Sequence, residues 1–233
     1  MSDNQYYSQP IPVIQLDAQS RGTFIARTYS HLFGAIALFT LIEVFFFQSG
    51  WARPMAASML STSWLLVLGG FIVLSWLARY AAQRASSVPI QYAALFMYVL
   101  GQAVIFVPLL FVAEAYAPGV ITSAAIVTAL GFTSLTLLVF ALRKDFSFLR
   151  GILMWVGLVA LIAIAGGVLY GFQLGTWFSV GMIALAGAAI LYDTSNILLH
   201  YPQDRYVGAA LELFASVALM FWYVLRLLMG SRR

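Results

Sequence analysis

Residues 177–199 read WFSVGMIALAGAAILYDTSNILL, an apolar run in which Asp193 is the only charged residue. A membrane-spanning helix needs about 20 mostly apolar residues to cross about 30 Å of hydrocarbon, and this run is long enough. The short segment HYPQDRY follows at 200–206, and a second apolar run occupies 207–228. Two long apolar runs joined by so short a segment predict a pair of adjacent, antiparallel membrane helices.

The composition of the whole chain agrees with a membrane protein. Of its 233 residues 63% are hydrophobic and 9% are charged, and the mean hydropathy is +0.93. An ordinary soluble domain carries about 25% charged residues, so the lipid bilayer must be the partner of most of this surface. The net charge of +4 does not indicate nucleic-acid binding, because in a membrane protein it is the position of the basic residues that matters. The absence of cysteine excludes disulfides and thiolate metal sites.

Runs of this kind occur seven times along the chain. They are residues 29–47, 64–78, 90–113, 120–142, 151–170, 177–199 and 207–228. The runs are continuous rather than alternating, which favours helices over the strands of a membrane barrel. The sequence therefore predicts an all-α bundle of seven transmembrane helices, with a polar tail at 1–26, a membrane domain at 27–230 and a basic end at 231–233.

The basic residues between the runs predict the orientation of the bundle. Eight of them lie in alternate segments, counting from the N-terminal tail: Arg21, Arg27, Arg79, Arg84, Arg143, Lys144, Arg150 and Arg205. The intervening loops carry only Arg53, so the positive-inside rule predicts a cytoplasmic N-terminus in a multi-pass protein of the cell inner (plasma) membrane. Seven spans would place Arg226, Arg232 and Arg233 on the opposite side; a last segment that dips and returns is the alternative. The first twenty residues show no basic-then-apolar pattern, and we expect no cleavable signal peptide.

Asp193 and Glu212 are the acids whose positions inside the membrane are hardest to explain without a function. A charge at the bilayer centre costs about 2.5–3.5 kcal/mol, so such residues usually face the bundle interior and pair. Counting back from residue 199 and forward from 207 at about 1.5 Å per residue, both acids lie about 8–9 Å from the same membrane face. Two carboxylates at one depth could share a proton or hold a calcium ion, which predicts a pH-sensing, ion-gating site. Arg79 is the basic residue expected to pair with Asp193; a structural ion pair that only sets helix register is the alternative.

A polar stripe accompanies each of these acids. Asn196 and His200 follow Asp193 at i+3 and i+7, and Ser216 follows Glu212 at i+4, so each set shares a helix face. His200 also fits a solvated turn residue.

Two further acids are expected to lie near the membrane surface. Glu43 lies close to the end of the first run and could extend its carboxylate toward that surface; a functional role is the alternative. Glu114 follows the end of the third run and is expected to be a solvated interface residue.

Known catalytic patterns are missing from the sequence. It contains no H-E-x-x-H and no G-x-S-x-G, and neither His31 nor His200 has a spaced partner for zinc. The only lysine, Lys144, lies in a loop, which excludes a retinal Schiff base inside the bundle. We expect that the protein is not an enzyme and has no cofactor other than a transiently bound calcium ion.

Four motifs carry a resemblance to a known family. They are SWLAR at 75–79, RKDFSFLRGIL at 143–153, ILYDTSNI at 190–197 and AALELFASVALMFWYVLRLLMG at 209–230. In this order and spacing the sequence resembles the Bax inhibitor-1 family of membrane proteins over residues 27–230. The resemblance implies six helices around a central seventh, C-terminal helix. Bacterial members are similar to pH-sensitive calcium leak proteins, which implies gating roles for Asp193 and Arg79.

The sequence departs from the family pattern on the last span. Ser216 stands where the family has a second aspartate, and Leu219 where it has an asparagine. Glu212 lies one turn earlier, and we interpret it as a displaced replacement for that acid. Ser216 together with DTSNI resembles the branch that modulates the membrane-bound AAA protease FtsH, in which the polar N-terminal tail is a handle for the protease. Two functions therefore stay open: a pH-sensitive calcium or cation leak, and a non-conducting regulator of such a protease or of stress and cell-death machinery.

Overall fold

The computed structural model describes residues 11–84 and 87–231. A short 3-10 helix (Val13–Gln15) precedes the α-helices, which are α1 (Ala18–Gln48), α2 (Ala52–Ser61), α3 (Trp64–Arg84), α4 (Val88–Tyr116), α5 (Val120–Leu142), α6 (Leu149–Tyr170), α7 (Thr176–Leu199) and α8 (Tyr206–Gly230). All except α2 are long and apolar enough to cross a membrane, which confirms the predicted all-α, seven-helix architecture. Residues 1–10 of the predicted polar tail, and Arg232 and Arg233 of the basic end, lie outside the described residues.

The first helix begins well before the apolar run that predicted it. Asp17 caps it, because its Oδ1 atom accepts hydrogen bonds from the backbone amides of Gln19 and Ser20, both at 3.0 Å. Hydrogen bonding to Ser20 is the main reason that the pKa of Asp17 lies below its usual value. A hydropathy count misses this first part of the helix because its residues are polar.

Helices α2 and α3 also differ from the predicted spans. Helix α3 continues past residue 78 to Arg84, since the sequence RYAAQR favours helix although it is too polar to count as a membrane run. Helix α2 was not predicted, because its ten residues are too few to span a bilayer. Its buried residues Ala52 and Ala56 form one apolar cluster with Ala103 and Val107 of α4.

Helix α8 is the centre of the bundle. It packs against α1, α3, α4, α5 and α7, and most of its residues from Val207 to Leu225 are buried. Helix α6 lies at the edge, where it packs mainly on α7 and makes little contact with α3. This arrangement confirms the expectation of a central C-terminal helix.

Helices α3 and α8 approach closely where α8 begins. A Cβ atom added to Gly208 would lie 3.1 Å from the backbone carbonyl oxygen of Ala82, so a side chain here would press on the α3 backbone. Glu212 lies four residues after Gly208 and therefore on the same helix face. The close approach brings Glu212 to α3, which carries Arg79.

Candidate functional site

Glu212 of α8 forms an ion pair with Arg79 of α3. Arg79 Nη1 donates to Glu212 Oε2, and Gln83 Nε2 donates to Glu212 Oε1 at 2.7 Å. The Glu212 side chain is 12% exposed and the Arg79 side chain 40%. The Arg79 guanidinium also lies over the ring of Tyr98, 5.9 Å from its centroid, a cation–π contact. Both carboxylate oxygens of Glu212 are thus satisfied by two residues one turn apart on α3.

Asp193 is held by a different group. Ser216 Oγ donates to Asp193 Oδ2 at 2.5 Å, which joins α7 to α8. The expected direct pair between Arg79 and Asp193 is not what the structure shows, although Arg79 is close enough to act on Asp193 electrostatically. The reason is packing. Helix α3, which carries Arg79, packs on α8, which carries Glu212. Asp193 lies instead on α7, which packs on α8, α5 and α6.

The two carboxylates therefore have separate partners. Glu212 is bound by Arg79 and Gln83, and Asp193 by Ser216. Glu212 and Ser216 are four residues apart and share a face of α8, so the two interactions stack along the central helix. The interpretation of Glu212 as a replacement for the family's second acid stays a prediction; in this structure Ser216 contacts Asp193 and Glu212 contacts Arg79.

Tyr201 closes the site at the end of the bundle that carries the basic loops. Its side chain is buried, and the Gln83 side chain hydrogen-bonds to it. Burial raises the pKa of Tyr201 well above its ordinary value; the Asp193 carboxylate acts in the same direction and Arg79 against it. The Tyr201 carbonyl accepts a hydrogen bond from the backbone amide of Val13 at 2.9 Å, so the segment before α1 lies against the site.

Sequence reasoning missed both Gln83 and Tyr201. Gln83 follows Arg79 at i+4, and this spacing was the available signal that both residues face the same neighbour. Tyr201 had no comparable signal, because it lies in the connection between α7 and α8, to which helical periodicity does not apply.

His200 does not belong to the polar stripe. Helix α7 ends at Leu199, so His200 leaves the helical face on which Asp193 lies. Its side chain is exposed, and its Nε2 atom is 3.4 Å from Asp145 Oδ2 in the loop between α5 and α6. Asn196 supports the turn through its backbone carbonyl, which accepts from the amides of His200 and Tyr201 at 2.8 and 3.0 Å.

The two peripheral acids differ from each other. Glu114 is exposed, as expected for an interface residue. Glu43 is only 6% exposed, and neither of its carboxylate oxygens has a hydrogen-bond partner among the described residues. The expectation that Glu43 extends to the membrane surface is wrong, because it lies one turn before Phe46 on the face that α1 buries against α4 and α2.

A cavity of about 830 Å³ reaches the site from the opposite end of the bundle. It is lined by α3, α4, α6, α7 and α8, mostly with apolar side chains, and it has an arginine at each end. Arg79 lies at the inner end and Arg226 near the mouth, where its Nη2 atom donates to the Leu174 carbonyl at 3.0 Å. Over residues 11–84 and 87–231, no three His, Cys, Asp or Glu side chains cluster as metal ligands would.

A bundle of seven long apolar helices, whose central helix carries an acid paired with an arginine, defines a polytopic membrane protein. Its interior holds a charge cluster that consists of Arg79, Glu212 and Asp193. The chain belongs to the Bax inhibitor-1 family: the family's model, described as inhibitor of apoptosis-promoting Bax1, matches residues 21–233.

Relatives with curated names come from bacteria. An uncharacterized protein of Pseudomonas aeruginosa is 36% identical over 111 residues, which cover 46% of this chain and 49% of that protein. The Escherichia coli protein named modulator of FtsH protease YccA is 34% identical over 102 residues, 43% of this chain and 46% of its own length. A protein of another Escherichia coli strain, named inner membrane protein YccA, matches with the same figures. The chain spans about half the length of the curated relatives it matches.

Proposed function

We propose that this protein is a multi-pass protein of the bacterial inner membrane, with a cytoplasmic N-terminus, that lets calcium or a similar cation leak under the control of pH. The observation that carries the proposal is the cavity of about 830 Å³ that ends at Arg79. Beyond this end, Arg79 is paired with Glu212, and Gln83 and Tyr201 lie behind the pair. This arrangement corresponds to a closed state, in which a fixed positive charge and a packed layer block a path through the bundle.

Protonation supplies a means of opening this layer. Protonation of Glu212 would remove the negative charge that attracts Arg79, and a neutral Asp193 would no longer be a pure acceptor for Ser216. Both changes act on α8, which contacts most of the other helices. A proton can therefore shift a two-state bundle in which the open state is a minor population. Calcium is the transported ion in this scheme, and the carboxylate oxygens are ligands it accepts in passing.

Neutralising the acids tests this proposal. In proteoliposomes loaded with a calcium-sensitive dye, we expect Glu212→Gln to raise the leak at neutral pH about tenfold, the effect of shifting the equilibrium by ~1.4 kcal/mol. Asp193→Asn is expected to flatten the dependence of the leak on pH, because it removes the carboxylate whose protonation would alter the contact with Ser216.

The matched control is Glu114→Gln, which neutralises an exposed acid that does not line the cavity. It should leak like the parent at every pH. If Asp193→Asn and Glu212→Gln also keep the parent's leak and pH profile, the carboxylates do not gate this protein.

A second function is supported by the relatives. One of them is named a modulator of FtsH protease, and this chain shares the family and about a third of its residues in the matched region. A regulator of a membrane-bound AAA protease needs a contact outside the bilayer. The segment at 11–17 is fastened to the bundle through the hydrogen bond between Val13 and Tyr201, and so lies beside the charge cluster.

Removing the first ten residues tests the second function. The deletion keeps Val13 and Asp17, which fasten the segment and cap α1. We expect affinity purification from bacterial membranes to recover the AAA protease with the full chain, and at least about tenfold less with the deletion, because the deletion removes the residues through which the tail would contact the protease.

Glu212→Gln is the control that separates the two functions. A regulator that acts through its tail should retain the protease when Glu212 is neutralised, whereas a leak protein should change its leak. Equal recovery of the protease with and without residues 1–10 would exclude the tail as the contact.

A further inference from the structure

The cavity has the dimensions of a site for part of a lipid. Its volume of about 830 Å³ lies within the ~300–1,000 Å³ typical of small-molecule sites. Along α8 the lining extends from Gly230 to Ala215, and its part from Arg226 inward to Ala215 is about 16 Å long at ~1.5 Å per residue. One leaflet of the hydrocarbon core is about 15 Å deep, half of the ~30 Å of the bilayer. The cavity therefore matches the length of one acyl chain that enters from the leaflet at the Arg226 end.

The wall of the cavity has a gap toward the bilayer. Helices α3 and α6 both line it, through residues such as Phe71 and Leu161, but they make little contact with each other. Helix α6 is held mainly by α7 on its other side. A lipid chain can therefore reach the cavity sideways, between α3 and α6.

The mouth of the cavity carries a positive charge without an acidic counterpart in its walls. The ion pairs found in the described parts of the chain do not include Arg226, whose guanidinium donates to the Leu174 carbonyl. The sequence has no aspartate or glutamate in 146–192 or in 213–233, nor anywhere in α3. Glu114, at the same end of the bundle, is exposed and does not line the cavity. Gln173 and Thr176, within two residues of Leu174 in the sequence, are among the polar residues of the lining.

We propose that this cavity binds an anionic glycerophospholipid, with one acyl chain between α3 and α6 and the phosphate at Arg226. The apolar depth accounts for the chain and the unmatched arginine for the charged head. Aromatic side chains near the mouth, Trp64 stacked on Trp222 at 6.1 Å between ring centroids, are the type that lies at the headgroup level of a bilayer. The lipid would occupy the same cavity as the proposed ion path and would therefore belong to its closed state; lipid binding itself does not require that the chain conducts ions.

Native mass spectrometry of the full chain in detergent tests the site directly. The probes are a phosphatidylglycerol and a phosphatidylcholine with identical acyl chains, added at equal concentrations. We expect one tightly retained phosphatidylglycerol per chain, bound roughly tenfold more tightly than phosphatidylcholine. Arg226→Gln should remove this preference, since it removes the charge-assisted contact with the phosphate. Arg53→Gln, a charge change at an exposed residue of α2 that does not line the cavity, should leave the preference intact.

Two glycines of α6 provide a matched pair of substitutions, one at the cavity and one away from it. Gly157 lines the cavity and Gly151 does not, and a Cβ atom at either position would meet open space. Gly157→Phe should fill the cavity and lower phosphatidylglycerol retention roughly tenfold, and Gly151→Phe should bind like the parent. Both variants should unfold at the parent's temperature, which shows that any loss is local. Equal retention by the two phenylalanine variants, or of the two lipids by the parent chain, would overturn the proposal.

Discussion

Arg79→Met is expected to lower the free energy of unfolding by about 2–3 kcal/mol. The substitution keeps an apolar side chain of similar length but leaves Glu212, 12% exposed, with Gln83 as its remaining donor. Breaking a fully buried ion pair by removing one partner costs about 3–5 kcal/mol, and this estimate is reduced because Arg79 is 40% exposed.

Thermal unfolding in detergent measures this effect, and a double substitution identifies its cause. Arg79→Met combined with Glu212→Leu should recover most of the lost stability, because no charge is then left without a partner. Arg84→Met is the control, because it removes another arginine from the same helix. The Arg84 guanidinium lies over the ring of Tyr80, 5.3 Å from the ring centroid. That substitution should change stability by less than about 1 kcal/mol. If Arg79→Met unfolds like Arg84→Met, the ion pair does not hold α3 to α8.

Gly208→Val is expected to destabilise the bundle by about 1–3 kcal/mol, the usual cost of an overpacked contact. The first added atom would lie 3.1 Å from the Ala82 carbonyl oxygen, and backbone cannot turn aside as the end of a side chain can. Helix α3 would have to move away from α8, which would also draw Arg79 away from Glu212. Gly208→Ala adds only the first atom and should show a smaller loss.

Gly181→Val in α7 is the matched control for this prediction. Gly181 is exposed and a Cβ atom there meets nothing within 4 Å, so the same change in side chain tests helix propensity alone. Thermal unfolding in detergent gives the comparison. A Gly208→Val protein as stable as Gly181→Val would show that the close approach of α3 and α8 is not needed.

The transmembrane helices and the pairing of α7 with α8 could be predicted from the sequence because they depend on local properties. A continuous apolar run of about 20 residues has no other stable use in a protein, and a short connection leaves its two helices side by side. The same reasoning failed for α2, since ten residues carry too little apolar length to be recognised. It also misplaced the ends of α1 and α3, where a helix continues through polar residues beyond the apolar run.

The sequence predicted which residues form the charge cluster, but it did not predict which of them contact each other. Depth along the membrane normal follows from residue counting, which is why Asp193, Glu212 and Arg79 were expected at one end of the bundle. Which side chain meets which depends on helix rotation and on neighbours, neither of which is encoded in spacing along a single helix. Glu43 failed for the same reason: its position near a helix end said nothing about the buried face on which it lies.

By itself, the sequence determined a membrane-embedded, all-α chain, because hydropathy and run length are sums over neighbouring residues and require no partner. Tertiary structure alone decided that Arg79 pairs with Glu212 while Asp193 takes Ser216, and that a cavity ends beside them. Gly208 lets α3 pack against α8, because the glycine has no side chain to hold the two backbones apart. How closely two backbones can approach depends on both helices, which no single stretch of sequence contains.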